Sequence, residues 1–134
     1  MGGPELTNDG HLDAAAFGRL MDGLAAAWNA GDADGAAASF AEDAVYLEPA
    51  GRKFYRSRAV LRDLFERTSQ RAPMRISWQH VFFDEASQTG AAEFAFEWSG
   101  RAFKGVAIIL LENGLVSRWR EYQVESDSFE AFSG

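Results

Sequence analysis

Three apolar runs separated by short turns occupy the sequence from Gly90 to Val124. The first, Gly90 to Trp98, stops at Ser99-Gly100. The second, Arg101 to Leu111, stops at Glu112-Asn113-Gly114. Leu115 to Val124 closes the set. Asn-Gly between apolar runs is a strong hairpin signal, because both central residues of a type I′ turn need φ > 0. Ser99-Gly100 is a weaker signal of the same kind. The middle run, Phe103 to Leu111, is almost wholly apolar, which predicts a strand covered on both faces. Its neighbours alternate and so present two unlike faces. A long antiparallel sheet of this sort needs a cover, and the N-terminal half supplies helices.

Phe17, Leu20, Met21, Leu24 and Trp28 form one apolar stripe at helical spacing, predicting a helix over Asp13 to Ala30. Gly31 is placed to end it in the left-handed conformation. Asp32 or Asp34 caps a short second helix, Gly35 to Phe40. Ala44 to Glu48 reads as a strand stopped by Pro49, and Gly51 opens a turn into Arg52 to Tyr55. Ser57 caps a third helix whose stripe is Val60, Leu61, Leu64, Phe65 and Thr68. Met74 to Asp84 is a long strand ahead of the three runs. The order α-α-β-β-α-β-β-β-β is an α+β arrangement.

A length of 134 residues suits one domain, expected over residues 11–126. Residues 1–10 read as a flexible N-terminal segment, and residues 127–134 as a polar tail carrying Phe129 and Phe132. There are no cysteines and two histidines, so neither disulfides, thiol chemistry nor a metal site is expected. A net charge of −7 argues against nucleic acid and anionic membrane surfaces. No run reaches the roughly 20 apolar residues of a membrane helix, and residues 1–10 lack a leader-like pattern. Cytoplasm is the expected compartment.

Four stretches taken together resemble the nuclear transport factor 2-like superfamily, and within it SnoaL-like polyketide cyclases, ketosteroid isomerases and limonene epoxide hydrolases. They are Trp28-Asn29-Ala30-Gly31-Asp32, Asp43 to Gly51, Glu97 to Arg101, and Asn113 to Tyr122. The resemblance implies a cystatin-like fold: a cone-shaped α+β barrel with helices packed on a strongly curved, mainly antiparallel sheet. It implies a small hydrophobic molecule as partner, and proton-transfer chemistry that uses no cofactor.

Candidate site residues follow from these stretches. Glu48, in Glu-Pro-Ala-Gly, matches the Asp-Pro-x-Gly of ketosteroid isomerases, whose Asp is the general base. A carboxylate at the mouth of an apolar cone would be partly desolvated, raising its pKa toward working pH. The alternative is an exposed acid before a proline turn. Glu121, in Trp119-Arg120-Glu121-Tyr122, resembles the Trp-Arg-Asp-Tyr of limonene epoxide hydrolases. Alternation puts Trp119, Glu121 and Gln123 on one face and Arg118, Arg120 and Tyr122 on the other. Glu121 is then either a pocket acid beside Trp119 or a surface partner for an arginine. Glu93 matches an acid of the epoxide hydrolases, but their arginine two residues earlier is Ala91 here. Glu93 is either part of an acid set or a solvent-facing residue opposite Phe94, Phe96 and Trp98.

Tyr46 shares a face with Glu48 and reads as either a hydroxyl donor or a buried aromatic. His80 falls at even positions with Met74, Ile76, Trp78 and Phe82, as a pocket acid/base or a core histidine. Trp119, Trp28, Leu24 and Glu93 complete the expected ligand contacts. Leu24, and Gly105 or Val106, stand where the isomerases carry their oxyanion donors, so that pair does not carry over. Two functions fit: an isomerase, cyclase or hydrolase with carboxylate acid/base residues, or a non-catalytic ligand-binding or dimeric scaffold. A homodimer through the outer sheet face is expected, with Phe94, Phe96, Trp98 and Tyr122 as candidates for that face.

Overall fold

The computed structural model describes residues 10–49 and 52–130. The expected N-terminal segment up to residue 9, the turn at Gly51 and Phe132 lie outside them. The elements are α1 (Ala14–Ala30), α2 (Ala33–Ala37), β1 (Phe40–Glu48), β2 (Lys53–Arg56), α3 (Arg58–Arg71), β3 (Met74–Asp84), β4 (Thr89–Trp98), β5 (Arg101–Glu112) and β6 (Leu115–Ser126). This is the predicted order.

The Trp28 to Asp32 stretch explains how the first half is assembled. Asp13 starts α1 by accepting a hydrogen bond from Ala16 N at 2.8 Å. Phe17, Met21, Leu24 and Trp28 bury the helical stripe. Asn29 leaves the helix sideways: its Nδ2 donates to Ile76 O at 3.1 Å, and Ile76 N donates to its Oδ1 at 2.7 Å. Gly31 ends α1 at φ 71°. Asp32 then caps α2, accepting from Gly35 N at 2.9 Å. One five-residue stretch thus closes a helix, ties it to β3 and starts the next helix. Ser57 caps α3, whose buried residues are Leu61 and Phe65.

The six strands form one curved, unclosed sheet in the order β2-β1-β6-β5-β4-β3. Every pairing is antiparallel except β1 with β6, which is parallel. Helices cover one face. Phe17 of α1 stacks on Phe83 of β3 at 4.3 Å, and the Trp78 indole donates to Met21 O at 2.7 Å. The core beneath the helices includes Phe17, Met21, Leu24, Trp28, Phe40, Leu61, Phe65, Phe94, Ile109 and Trp119.

β3 does not keep one alternation along its length. Trp78 pairs with Phe94 but His80 pairs with Glu93, so Gln79 is an extra residue in the ladder. A bulge of this kind reverses which parity faces inward. Before it, Ile76 and Trp78 face the helices. After it, Phe83 does, and His80 and Phe82 turn to the outer face. Strict alternation therefore misplaces His80.

The outer face differs from expectation in a second way. Phe94, Phe96 and Trp98 point toward the helices, not outward. Phe94 is buried against Trp78, Phe96 packs on the core, and the Trp98 indole donates to Thr68 O and Ala72 O at the end of α3. Of the four predicted outer residues only Tyr122 is on that face. Its apolar surface comes instead from Phe54, Phe82, Tyr122 and Val124, which are 54, 66, 45 and 69% exposed. The tail crosses another part of the same face. Arg75 lies 3.9 Å over the Phe129 ring and bridges Glu130 at 2.6 Å, while Lys104 Nζ donates to Phe129 O.

Replacing Asn29 by Ala leaves two half-buried backbone groups of Ile76 without partners. The expected loss is about 2 kcal/mol, since each orphaned group costs about 1–3 and these two, being part-buried, fall at the low end. Urea denaturation of Asn29→Ala checks this, and a loss below about 0.5 kcal/mol would mean that the tie to β3 adds nothing beyond solvent hydrogen bonds.

Candidate functional site

The candidate site sits where β1 and β6 run parallel. Tyr46 lies opposite Trp119 and Leu47 opposite Arg120. That register, with strand alternation, gathers Tyr46 and Glu48 from one strand with Trp119, Glu121 and Gln123 from the other. All five lie on the helix-covered face, and Arg118, Arg120 and Tyr122 lie on the other. Of the two alternatives open for β6, the structure adopts the one with Trp119 buried and Arg120 exposed.

Aromatic rings form the floor. Tyr46 and Trp119 stack with centroids 5.8 Å apart and planes within 3°. Trp28 meets Trp119 edge-on at 5.6 Å, and Trp78 lies 6.2 Å from it. Glu121 rests on this floor. Its Oε1 accepts from the Tyr46 hydroxyl at 2.6 Å and from the Trp119 indole at 2.8 Å. The first distance is that of a charge-assisted O–H···O bond. Glu48 lies next to it, and its Oε2 accepts from Gln123 Nε2 at 3.1 Å. Lys53 of β2 is the cross-strand partner of Glu48.

Gly105 makes room for this arrangement. It pairs with Gln123 across the β5–β6 ladder. A Cβ there would come 2.2 Å from the Tyr122 carbonyl oxygen and 2.8 Å from both Gln123 Cβ and the Phe94 ring. Only glycine lets the two strands and the Phe94 ring approach this closely.

The surroundings set the protonation of the two hydroxyl- and carboxyl-bearing groups at the centre. Loss of water beneath the rings raises the Glu121 pKa above the ordinary 4.5. The hydrogen bonds from Tyr46 and Trp119 act the other way and do not win, and the neighbouring Glu48 raises it further. Burial raises the Tyr46 pKa well above 10, with the Glu121 charge and hydrogen bond adding to the shift. Tyr46 therefore remains a neutral phenol and a donor throughout the working pH range.

The structure brings together Glu48, Glu121, Tyr46 and Trp119, with Trp28 against Trp119. Leu24 is fully buried in the core rather than presented at the site. His80 and Glu93 are elsewhere. They pair with each other on the outer face, Nδ1 to Oε1 at 2.7 Å, because the β3 bulge turns His80 outward and β4 alternation does the same for Glu93. Gln123 was given no role by sequence reasoning, although its parity with Glu121 was readable. Its partner Glu48 lies 75 residues away, and no local pattern announces that bond. Two buried side-chain polar atoms among the described residues lack a partner: Trp28 Nε1 and Gln123 Oε1. No group of described residues has the makings of a metal site. No helix among them is long and apolar enough to cross a membrane.

Known structures share this architecture. A cystatin-like protein of unknown function from Methylobium petroleophilum PM1 superposes with a TM-score of 0.78 at 17% identity, covering 92% of this chain and 85% of that one. An epoxide hydrolase/cyclase-like enzyme described for pyran ring formation in the polyether salinomycin gives 0.74 at 20% identity, covering 84% and 93%. An epoxide hydrolase from M. tuberculosis gives 0.68 at 19%, covering 79% and 80%. At these identities the likeness shows the fold. No curated protein matches the chain by sequence. The model of the SnoaL-like domain matches residues 21–119, from the middle of α1 to the tryptophan under Glu121. The chain belongs to the SnoaL-like family.

Proposed function

We propose that this protein binds a small hydrophobic molecule on its helix-covered sheet face and moves a proton on it with Glu48 and Glu121. The observation that carries this reading is the Tyr46–Glu121–Trp119 network with a second carboxylate beside it. Two neighbouring acids in a partly dry aromatic setting divide the labour of acid and base. Glu48, bonded to a neutral amide, takes a proton from a carbon beside a carbonyl or from an attacking water. Glu121, with its raised proton affinity, delivers one to the oxygen that becomes a hydroxyl. Tyr46 and Trp119 hold Glu121 in place through donors that do not titrate at working pH.

The proposed reactions are isomerisation, cyclisation or epoxide opening, and the site's own residues suffice for the proton movements. The second reading, a ligand-binding member without turnover, is favoured by one observation: neither Leu24 nor Gly105 offers a side-chain donor to an oxyanion. A panel of cyclic enones and apolar epoxides, assayed by mass spectrometry, separates the two. Turnover should fall by at least about 10²-fold in Glu48→Gln and Glu121→Gln, the usual range for losing an acid/base group. Binding without product on the whole panel supports the second reading.

The buried acid also makes a stability prediction. The folded protein holds the Glu121 proton more tightly than the unfolded chain does. Its contribution is fully present below the ordinary value of 4.5 and is lost as pH rises through the raised folded value. Glu121→Gln keeps an acceptor for Tyr46 and Trp119 without the charge. It should melt above the wild type at pH 7.5, and the gap should close as pH falls toward 4.5. A gap that does not depend on pH would contradict the desolvation of Glu121.

We further propose that a second copy of the chain covers the outer sheet face. Phe82, Tyr122 and Val124 lie exposed there, and Val106, Ile108 and Leu110 of the central strand are half-buried beneath it. Exposed apolar surface of this kind is unusual on a monomer. Light scattering at micromolar concentration should give a dimer mass, and Val124→Arg should give a monomer with an unchanged circular dichroism spectrum.

A further inference from the structure

Gln123 holds one hydrogen bond and lacks another. Its Nε2 donates to Glu48 Oε2 at 3.1 Å, while its Oε1 is buried with no partner. A buried amide carbonyl without a donor is a costly arrangement that folded proteins seldom tolerate. Turning the amide over does not cure it. The oxygen would then face the Glu48 carboxylate, acceptor against acceptor, and the bond to Glu48 would be lost. The bond to Glu48 Oε2 thus fixes the amide in one orientation, with the oxygen as its free end.

The neighbours add no donor. Gly105, directly across the ladder, has no side chain, and Glu121, two residues back on the same face, is itself an acceptor already holding Tyr46 and Trp119. At the Gln123 end of the site the unmet group is an acceptor, the Gln123 oxygen beside Glu48, while the unmet donor, Trp28 Nε1, lies at the aromatic floor. A ligand that carries only acceptors, such as an ether or an ester, leaves the Gln123 oxygen unmet. A ligand that carries a hydroxyl meets it.

We infer that Gln123 is a positioning residue that selects hydroxyl-bearing ligands. Its amide is anchored on Glu48 and accepts a hydrogen bond from the ligand hydroxyl through Oε1. This rests on the proposed ligand site and names its substrate class: an apolar ring compound with a free hydroxyl near the Glu48 end of the site. A site built to hydrogen-bond a hydroxyl discriminates strongly against the analogue that lacks it, because its own buried group is left unpaired. Anchoring by Glu48 also links selection to chemistry, since the ligand is held beside the proposed base.

The test is an equilibrium titration of the intact protein with two probes, 4-tert-butylcyclohexanol and its methyl ether, followed by NMR of the tryptophan indole N–H signals. The wild type should bind the alcohol about tenfold more tightly than the ether, in keeping with one satisfied hydrogen bond. Gln123→Met, close in shape but without amide atoms, should keep the ether affinity and lose the preference. A merely structural role would change both affinities together and leave their ratio alone. Wild-type binding without preference, or a preference that survives in Gln123→Met, overturns the inference and leaves the proton-transfer reading standing. Failure of both probes to bind the wild type removes the ligand site itself, and the inference with it.

Discussion

The single parallel pairing in an otherwise antiparallel sheet is the constraint on which the site depends. β6 begins 67 residues after β1 ends, yet Tyr46 must fall opposite Trp119 for the two rings to stack. That register decides everything polar around it. Moved by one residue, Glu48 and Tyr46 would exchange faces with Val45 and Leu47, and Glu121 would lose its strongest donor. The stacked pair also supplies both hydrogen bonds to the buried acid, so the rings that dry the site are the rings that hold it. Packing and electrostatics here are one arrangement.

Much of the fold was legible because it is encoded locally. The i, i+3, i+4 stripe of α1, the cap Ser57, the cap of α2 narrowed to Asp32 or Asp34, and the turns at Ser99-Gly100 and Asn113-Gly114 each carry their own instruction. Those turns place Ser99 and Asn113 at φ 54° and 51°, the left-handed region their sequences foreshadow. The alternation of β6 was legible as two sets of residues, but which set faces inward was not, because that depends on what covers the sheet.

What was not legible is long-range or irregular. Nothing around Trp78 to His80 marks Gln79 as an extra residue, so alternation put His80 with Trp78 and inside. In the structure it pairs with Glu93 on the opposite face. Glu93 leaves the acid set for a different reason: regular alternation along β4 turns Phe94, Phe96 and Trp98 to the core and Glu93 outward. The Glu48–Gln123 bond joins residues that no window of sequence contains together. The β1–β6 register brings together Tyr46, Glu48, Trp119 and Glu121, whereas Glu93 alternates outward on a regular strand and His80 is turned outward by the bulge.

The β3 bulge has a consequence for how such a protein can diverge. In a regular strand, point substitution changes what stands at a fixed location, but it never moves a residue from interior to surface. Gaining or losing one residue at Gln79 does so for the whole segment beyond it, exchanging Phe83 with its outward neighbours in a single event. The half of β3 before the bulge, locked by Asn29 and the Trp78 indole, would be unaffected. Insertions and deletions at this one position thus act as a lever on surface identity, leaving the chemistry at β1 and β6 to evolve on its own.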